Sequence, residues 1–323
     1  MDKVIKYFGI DISHLVFDVT DPEGTHYQFK NNPSGFRKFA KLLDGDSHCV
    51  MEATGYYHYQ LAYHLLESGT RVSVENPLAV KRFIQMKLSK VKTDKSDSRL
   101  ICEYAKQVEL KLWKGNSREQ TECLQMARLL DVYTKQCTMI KNKLHGEEVL
   151  GNPSRAVVSS LNRSKKHIEK EMAELEKKLL MTVKRAHQEV LTCVRSIPGI
   201  GTKTGVMLIV LTGGFERFSS ASELCSYAGL TPIIRNSGSS VNGRSRISKM
   251  GNQKLRSLLF MCSFSAVKYN RACKAIYDRI VAKGKSKKLA LIAVCNKLLK
   301  QAFAVAKSGL KYDREYKSVL VKN

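Results

Sequence analysis

The sequence is poor in acids, prolines and long apolar runs. Only 29 Asp and Glu stand against 55 Lys and Arg, and there are six Pro and one Trp in 323 residues. No run approaches the roughly 20 uninterrupted apolar residues of a bilayer crossing, and Met1-Asp2-Lys3 lacks the form of a signal peptide. A soluble cytoplasmic protein without a membrane partner is expected. None of the nine Cys is spaced C-x-x-C from another, so neither a disulfide framework nor a zinc knuckle is indicated. They are expected to be small buried apolar residues in a reducing compartment. No His follows His187, which excludes a Ser–His pair from the final third. What is present is a 43% hydrophobic content, too high for a disordered chain and enough for two or three domains.

The charge is unevenly placed. Residues 1–110 carry 15 basic and 14 acidic side chains, residues 111–190 carry 16 and 10, and residues 191–323 carry 24 and 5. The final segment would draw a polyanion by releasing counterions from its phosphates. No basic amphipathic membrane helix stands out, so nucleic acid is the expected partner. The near-neutral first part must do something other than bulk electrostatic binding.

Three regions follow from the patterning. In the first, apolar runs at 4–10, 15–20 and 26–30 read as strands, with Asp21-Pro22-Glu23-Gly24 as a turn. A helix near 34–43, a strand at 48–51 closing on Glu52, a helix near 57–68 and a strand at 72–74 complete the pattern. Three strands, a helix, then strand–helix–strand is the order of a ribonuclease-H-like α/β sheet. In the second region, Cys123, Met126, Leu130, Tyr133, Cys137, Ile140 and Leu144 repeat at heptad spacing. After Gly151-Asn152-Pro153, the residues Leu161, Ile168, Met172, Leu175, Leu179, Ala186 and Val190 resume a similar stripe. Two amphipathic helices packed on the first domain, a coiled-coil hairpin and a dimer seam all fit this pattern. The expected divisions are 1–112, 113–192 and 193–323.

In the last region, Ile197-Pro198-Gly199-Ile200-Gly201 precedes an apolar stretch. A glycine turn feeding a helix leaves the first backbone N–H groups free, as in a helix-hairpin-helix element gripping a phosphate. A plain tight turn has the same sequence form. Gly199, Gly201 and Lys203 are candidate contacts there. Arg235, Arg244, Arg246, Lys249 and Arg256 crowd a glycine-containing stretch and suit phosphate backbones.

Four carboxylates stand out by position. Asp11 ends the first apolar run and Glu52 ends the fourth, while Asp94 and Asp97, three apart, open a helix near Leu100. Acids at neighbouring strand ends and on an apposed helix can converge on one point. Hard oxygen ligands of this kind select Mg²⁺ or Mn²⁺ over zinc. Two such ions about 4 Å apart can clamp both oxygens of a phosphodiester displacement. Helix N-capping is the commoner use of an Asp at such a position, so these residues alone reach a candidate metal nuclease and no further.

The blocks Gly9-Ile10-Asp11, Met51-Glu52-Ala53-Thr54-Gly55 and Lys92-Thr93-Asp94-Lys95-Ser96-Asp97 resemble those of the DEDD transposases. These are the insertion-sequence one-ten family, with the Piv-type DNA invertases as relatives. The blocks Ile197–Gly201, Tyr227-Ala228-Gly229-Leu230-Thr231-Pro232, Ser237-Gly238 and Ile247-Ser248-Lys249-Met250-Gly251-Asn252 follow in order, so the resemblance covers nearly the whole chain. It implies a RuvC-like (ribonuclease-H-like) domain, a helical coiled-coil middle and a mainly α transposase domain with a nucleophilic serine. It further implies that Asp11, Glu52, Asp94 and Asp97 hold Mg²⁺, with Mn²⁺ as a substitute, and that Ser237 attacks DNA to form a phosphoserine link. The implied partners are a structured bridge RNA, donor and target DNA, and further copies of the chain as a dimer or tetramer. The implied setting is the prokaryotic nucleoid. Nothing in its local chemistry singles out Ser237, and Ser239 and Ser240 are its alternates. Two other readings stay open: a RuvC-like nuclease such as a junction resolvase, and a non-catalytic nucleic-acid scaffold.

Overall fold

The computed structural model describes residues 5–53, 55–88, 93–233, 236–237, 241–242 and 246–315. Two compact units divide the chain, Met1–Asn116 and Ser117–Asn323.

The first unit runs β1 (Lys6–Ile12), β2 (Val16–Thr20), β3 (His26–Lys30), α1 (Pro33–Ala40), β4 (Ser47–Glu52), α2 (His58–Glu67), β5 (Arg71–Glu75), α3 (Pro77–Met86) and α4 (Asp94–Gln107). The five strands form one sheet in the order β3-β2-β1-β4-β5. The leading three pair antiparallel, and β1, β4 and β5 are parallel. This mixed sheet is compatible with the RuvC-like expectation. Alternation along the strands assigns its two faces. Phe8, Ile10, Ile12, Cys49 and Met51 share a core with Phe36 and Phe39 of α1 and Leu61 and Leu65 of α2. Val50 turns the other way, to Val80 of α3 and to Ile101 and Ala105 of α4. Helix α3 is absent from the sequence expectation; Asn76 caps it and Pro77 opens it.

The second unit begins with two long helices, α5 (Arg118–Val149) and α6 (Arg155–Arg195), the second folding back along the first. Of the heptad residues, Cys123, Met126, Leu130, Cys137 and Ile140 are buried. The first three pack with Leu179 and Val183 of α6 in a core that continues through the rest of the unit. The expected stripe on α6 departs from the structure at its end. Backbone angles at His187 (φ −142°, ψ 40°) break the helix. Val183 and Leu191 are buried on either side of it, while Ala186 of the expected stripe is exposed.

Beyond it come α7 (Thr202–Thr212), α8 (Ala221–Tyr227), four two-residue strands β6 (Pro232–Ile233), β7 (Asn236–Ser237), β8 (Val241–Asn242) and β9 (Arg246–Ile247), then α9 (Gln253–Tyr269), α10 (Arg271–Ala282) and α11 (Lys287–Ser308). Helix α7 is apolar nearly all round and lies within the core, as such a helix must. Helix α11 is long and apolar enough by composition to cross a membrane, yet half of its most apolar window is buried inside the protein. All nine cysteines are free and buried, as expected.

Candidate active site and nucleic-acid interface

The acids are placed by one close packing. A Cβ at Gly9 would stand 2.2 Å from the Cys102 backbone nitrogen and 2.3 Å from the Ser98 carbonyl oxygen. Glycine in the middle of β1 therefore lets α4 lie directly on the strand. Two contacts fix the crossing: the buried Thr20 and Ser98 hydroxyls meet at 2.9 Å, and the Cys102 Sγ donates to the Tyr7 carbonyl at 3.2 Å. Gly9 and Asp11 share a strand face by alternation, so Asp11 points to the α4 side.

Helix α4 begins with a capping box. The Thr93 hydroxyl accepts from the Ser96 amide at 3.1 Å, and the Ser96 hydroxyl accepts from the Thr93 amide at 2.8 Å. Capping is thus done by Thr93, and Asp94 and Asp97 stand in the first turn, where the helix dipole favours negative charge. Glu52 ends β4 on the same sheet face as Val50. In the parallel register Ile10 pairs with Met51, which sets Asp11 and Glu52 one residue beyond on adjacent strands.

These carboxylates sense one another. Burial comes first, followed by the charges of Asp97, Asp94 and Glu52, and together they push the Asp11 carboxyl up to about 6. Carboxylate oxygens are the ligand type that hard divalent cations take. Among the described residues no three acids, histidines or cysteines form a group at ion-gripping spacing.

The register reveals two acids that the sequence reading missed. Asp18 pairs with Asp11 across β1–β2, and Glu75 pairs with Glu52 across β4–β5. Asp18, Asp11, Glu52 and Glu75 therefore form a transverse row over four strands, on the face that α4 covers. The outer two are already engaged. Asp18 is buried against His26 Nε2 at 2.7 Å and accepts from Gln28 Nε2 at 3.2 Å. Glu75 accepts from the Tyr104 hydroxyl of α4 at 3.1 Å. Burial raises Glu75 against that hydrogen bond, and burial followed by the Glu75 charge pushes Tyr104 up to about 12. A signal existed: an acid inside Val16-Phe17-Asp18-Val19, and one ending Val72-Ser73-Val74-Glu75 just as Glu52 ends its strand.

In the second unit, Ser237 lies on β7. Asn236 pairs with Asn242 and Ser237 with Val241, while β6 and β9 pair below them, Pro232 with Ile247 and Ile233 with Arg246. The two blocks flanking this ribbon lock together at its foot. A Cβ at Gly251 (φ +131°) would stand 2.2 Å from the Tyr227 carbonyl oxygen. Asn252 donates from its backbone to that carbonyl at 2.8 Å and caps α9 with its side chain. Arg256 donates to the Ala228 carbonyl at 2.8 Å, closing the end of α8.

The remaining candidates divide. Gly199 (φ +105°) packs its bare backbone on Ala266 of α9, and Gly201 caps α7. Lys203 pairs with Glu176 on the surface of α6, an exposed bridge of little energetic weight. Lys249 and Arg246 are exposed. Arg235, Arg244, Ser239 and Ser240 lie outside the described residues.

Comparison with known proteins assigns the family. Residues 191–278 match the model described as Transposase IS116/IS110/IS902 family, and residues 8–150 match the IS110 DEDD transposase model. The pilin gene-inverting protein of Moraxella bovis is 30% identical over 323 residues, covering 95% of this chain and 98% of that protein. The chain belongs to the IS110 family of transposases. Within the family, the pilin gene-inverting protein of Moraxella lacunata is 29% identical over 95% of this chain and 98% of that protein. The IS1111A transposase of Coxiella burnetii is 23% identical over 91% of this chain and 88% of its own length. Transposition or inversion of DNA is the activity of this family, and donor and target DNA are its substrates.

Proposed function

We propose that this transposase is an RNA-guided DNA recombinase that cleaves and rejoins strands through Ser237, with Mg²⁺ held by Asp11, Glu52, Asp94 and Asp97. The supporting observation is the Asp11 carboxyl, which burial first, and then the charges of Asp97, Asp94 and Glu52, lift to about 6. Bound there, a divalent cation supplies charge neutralisation at the phosphodiester oxygens. The Ser237 hydroxyl gives up its proton as Oγ attacks phosphorus; the Oγ–P bond forms, the P–O3′ bond breaks, and O3′ takes up a proton in exchange and leaves as a hydroxyl. Because the phosphoserine conserves the energy of the broken link, a 3′-hydroxyl from a second strand rejoins it without ATP.

In this reading a structured bridge RNA selects donor and target by base pairing, and the protein reads backbone and shape. Lys249, Arg246, Lys203, Arg256, Gly199 and Gly201, with Arg235 and Arg244, serve the nucleic acid. Residues 1–112, 113–192 and 193–323 act as RuvC-like domain, coiled coil and serine-bearing transposase domain in a dimer or tetramer at the nucleoid. The test is Ser237→Ala. Denaturing gels of the full protein with element-end DNA should lose the covalent adduct, and recombination with it, while RNA binding persists. An adduct that survives the substitution overturns the reading and leaves metal-dependent hydrolysis.

A further inference from the structure

At the foot of the ribbon, α10 and α11 border an open cavity of about 760 Å³ with the β6–β9 pair. Its volume falls within the roughly 300–1,000 Å³ of small-molecule sites. The interior is aliphatic: Leu230, Ile247, Ile276, Ile280 and Ile292 line it. Five cations also line it, Arg246, Arg279, Lys288, Lys297 and Lys300, and no carboxylate does. Among the described residues none of the five makes an ion pair. A ligand suited to this lining would combine an apolar body with negative charge beside it. A nucleotide has that combination, with two apolar base faces and a phosphate on either side.

We propose that this cavity seats one unpaired base of the DNA strand near the linkage that Ser237 cleaves. The proposal rests on the assignment of Ser237 as nucleophile. Pro232, on the cavity wall, precedes Ser237 by five residues, so the two are at most about 18 Å apart along the chain. That reach spans about five base steps at 3.4 Å. A stacked and paired base cannot present its faces to Ile276 and Ile280, so the cavity would select a base that has left the helix. The cations then hold the flanking phosphates and fix how far the scissile bond lies from the ribbon. Such a seat would position the strand without reading its sequence, because every base has an apolar face.

The test is photocrosslinking of the full-length protein to a DNA hairpin carrying one 4-thiothymine, either bulged out or paired, with the linked peptide identified by mass spectrometry. The bulged probe should link to residues between Ile276 and Lys297, about tenfold more than the paired one. Ile280→Trp, which fills the cavity, and Lys288→Glu, a surface change that spares folding, should each lower that yield by about tenfold. Equal yields from the two probes, links mapping elsewhere, or links formed only by an RNA hairpin of the same shape would overturn the proposal. Ser237→Ala should leave the crosslink intact. If Ser237→Ala keeps the adduct, the nucleophile assignment fails while the seat stands; if the adduct depends on Ser237 but no link forms at the cavity, the seat alone fails.

Discussion

Asp11 is held in a form that costs the fold. Its carboxyl, lifted to about 6, ionises less readily in the folded chain than in the unfolded one. An acid with a raised folded value destabilises the protein above that value, and the cost vanishes as pH falls towards its ordinary 3.8. Asp11→Asn should therefore raise the melting temperature at pH 7 in the absence of divalent ions. A gain of about 1 kcal/mol is expected after screening of a half-buried group is allowed for. The gain should shrink between pH 6 and pH 4. Added Mg²⁺ should raise the melting temperature of the parent protein, by linkage, and do so much less for the variant. Thermal melts across pH, with and without Mg²⁺, check both. A variant less stable than the parent at pH 7 would show that burial and repulsion do not govern this carboxylate.

Among the elements, α4 carries the most consequence, because its seat on β1 sets where Asp94 and Asp97 stand. Gly9→Ala places a methyl against the backbone of Cys102 and Ser98, which cannot swing aside as a side chain would. Overpacking of this kind costs about 1–3 kcal/mol. Recombination should fall further than stability does, since the first turn of α4 is displaced from Asp11; melts and recombination assays on one preparation separate the two effects. This packing also explains what could be read in advance. Most strands and helices of the first unit were legible because each has one buried face and a clear period; Asp11 and Glu52 drew notice by ending apolar runs, and Asp94 and Asp97 by opening a helix three residues apart. Asp18 and Glu75 did not, because their meaning lies in cross-strand register, which periodicity does not report. Helix α3, which Asn76 and Pro77 start, and the local break at His187 also went unread, since neither a cap nor a single bent residue shows in apolar spacing. Gly199 takes a positive φ and packs its backbone on Ala266, a constraint that the sequence form of the turn did not show.

For the whole molecule, charge and acid chemistry are kept in separate units. Residues 1–116 hold 17 basic and 14 acidic side chains, and residues 117–323 hold 38 and 15. The second unit should therefore dominate the salt dependence of binding. In anisotropy titrations of duplex DNA over a range of salt, Asp11→Asn with Glu52→Gln should leave the slope of log affinity against log salt unchanged. Arg246→Ala should reduce it by about 1. A slope that moves with the acid pair would break this division of labour.

The nine thiols have a use beyond packing. Cys49 and Cys102 lie in the first unit and the other seven in the second, every one buried. Burial pushes the Cys273 and Cys295 thiols up to about 12, which leaves almost no thiolate to react. A thiol can be alkylated only after its own element has opened. The protein thus carries a built-in set of clocks, and the order in which the nine gain mass under a labelling reagent reads out which unit breathes first.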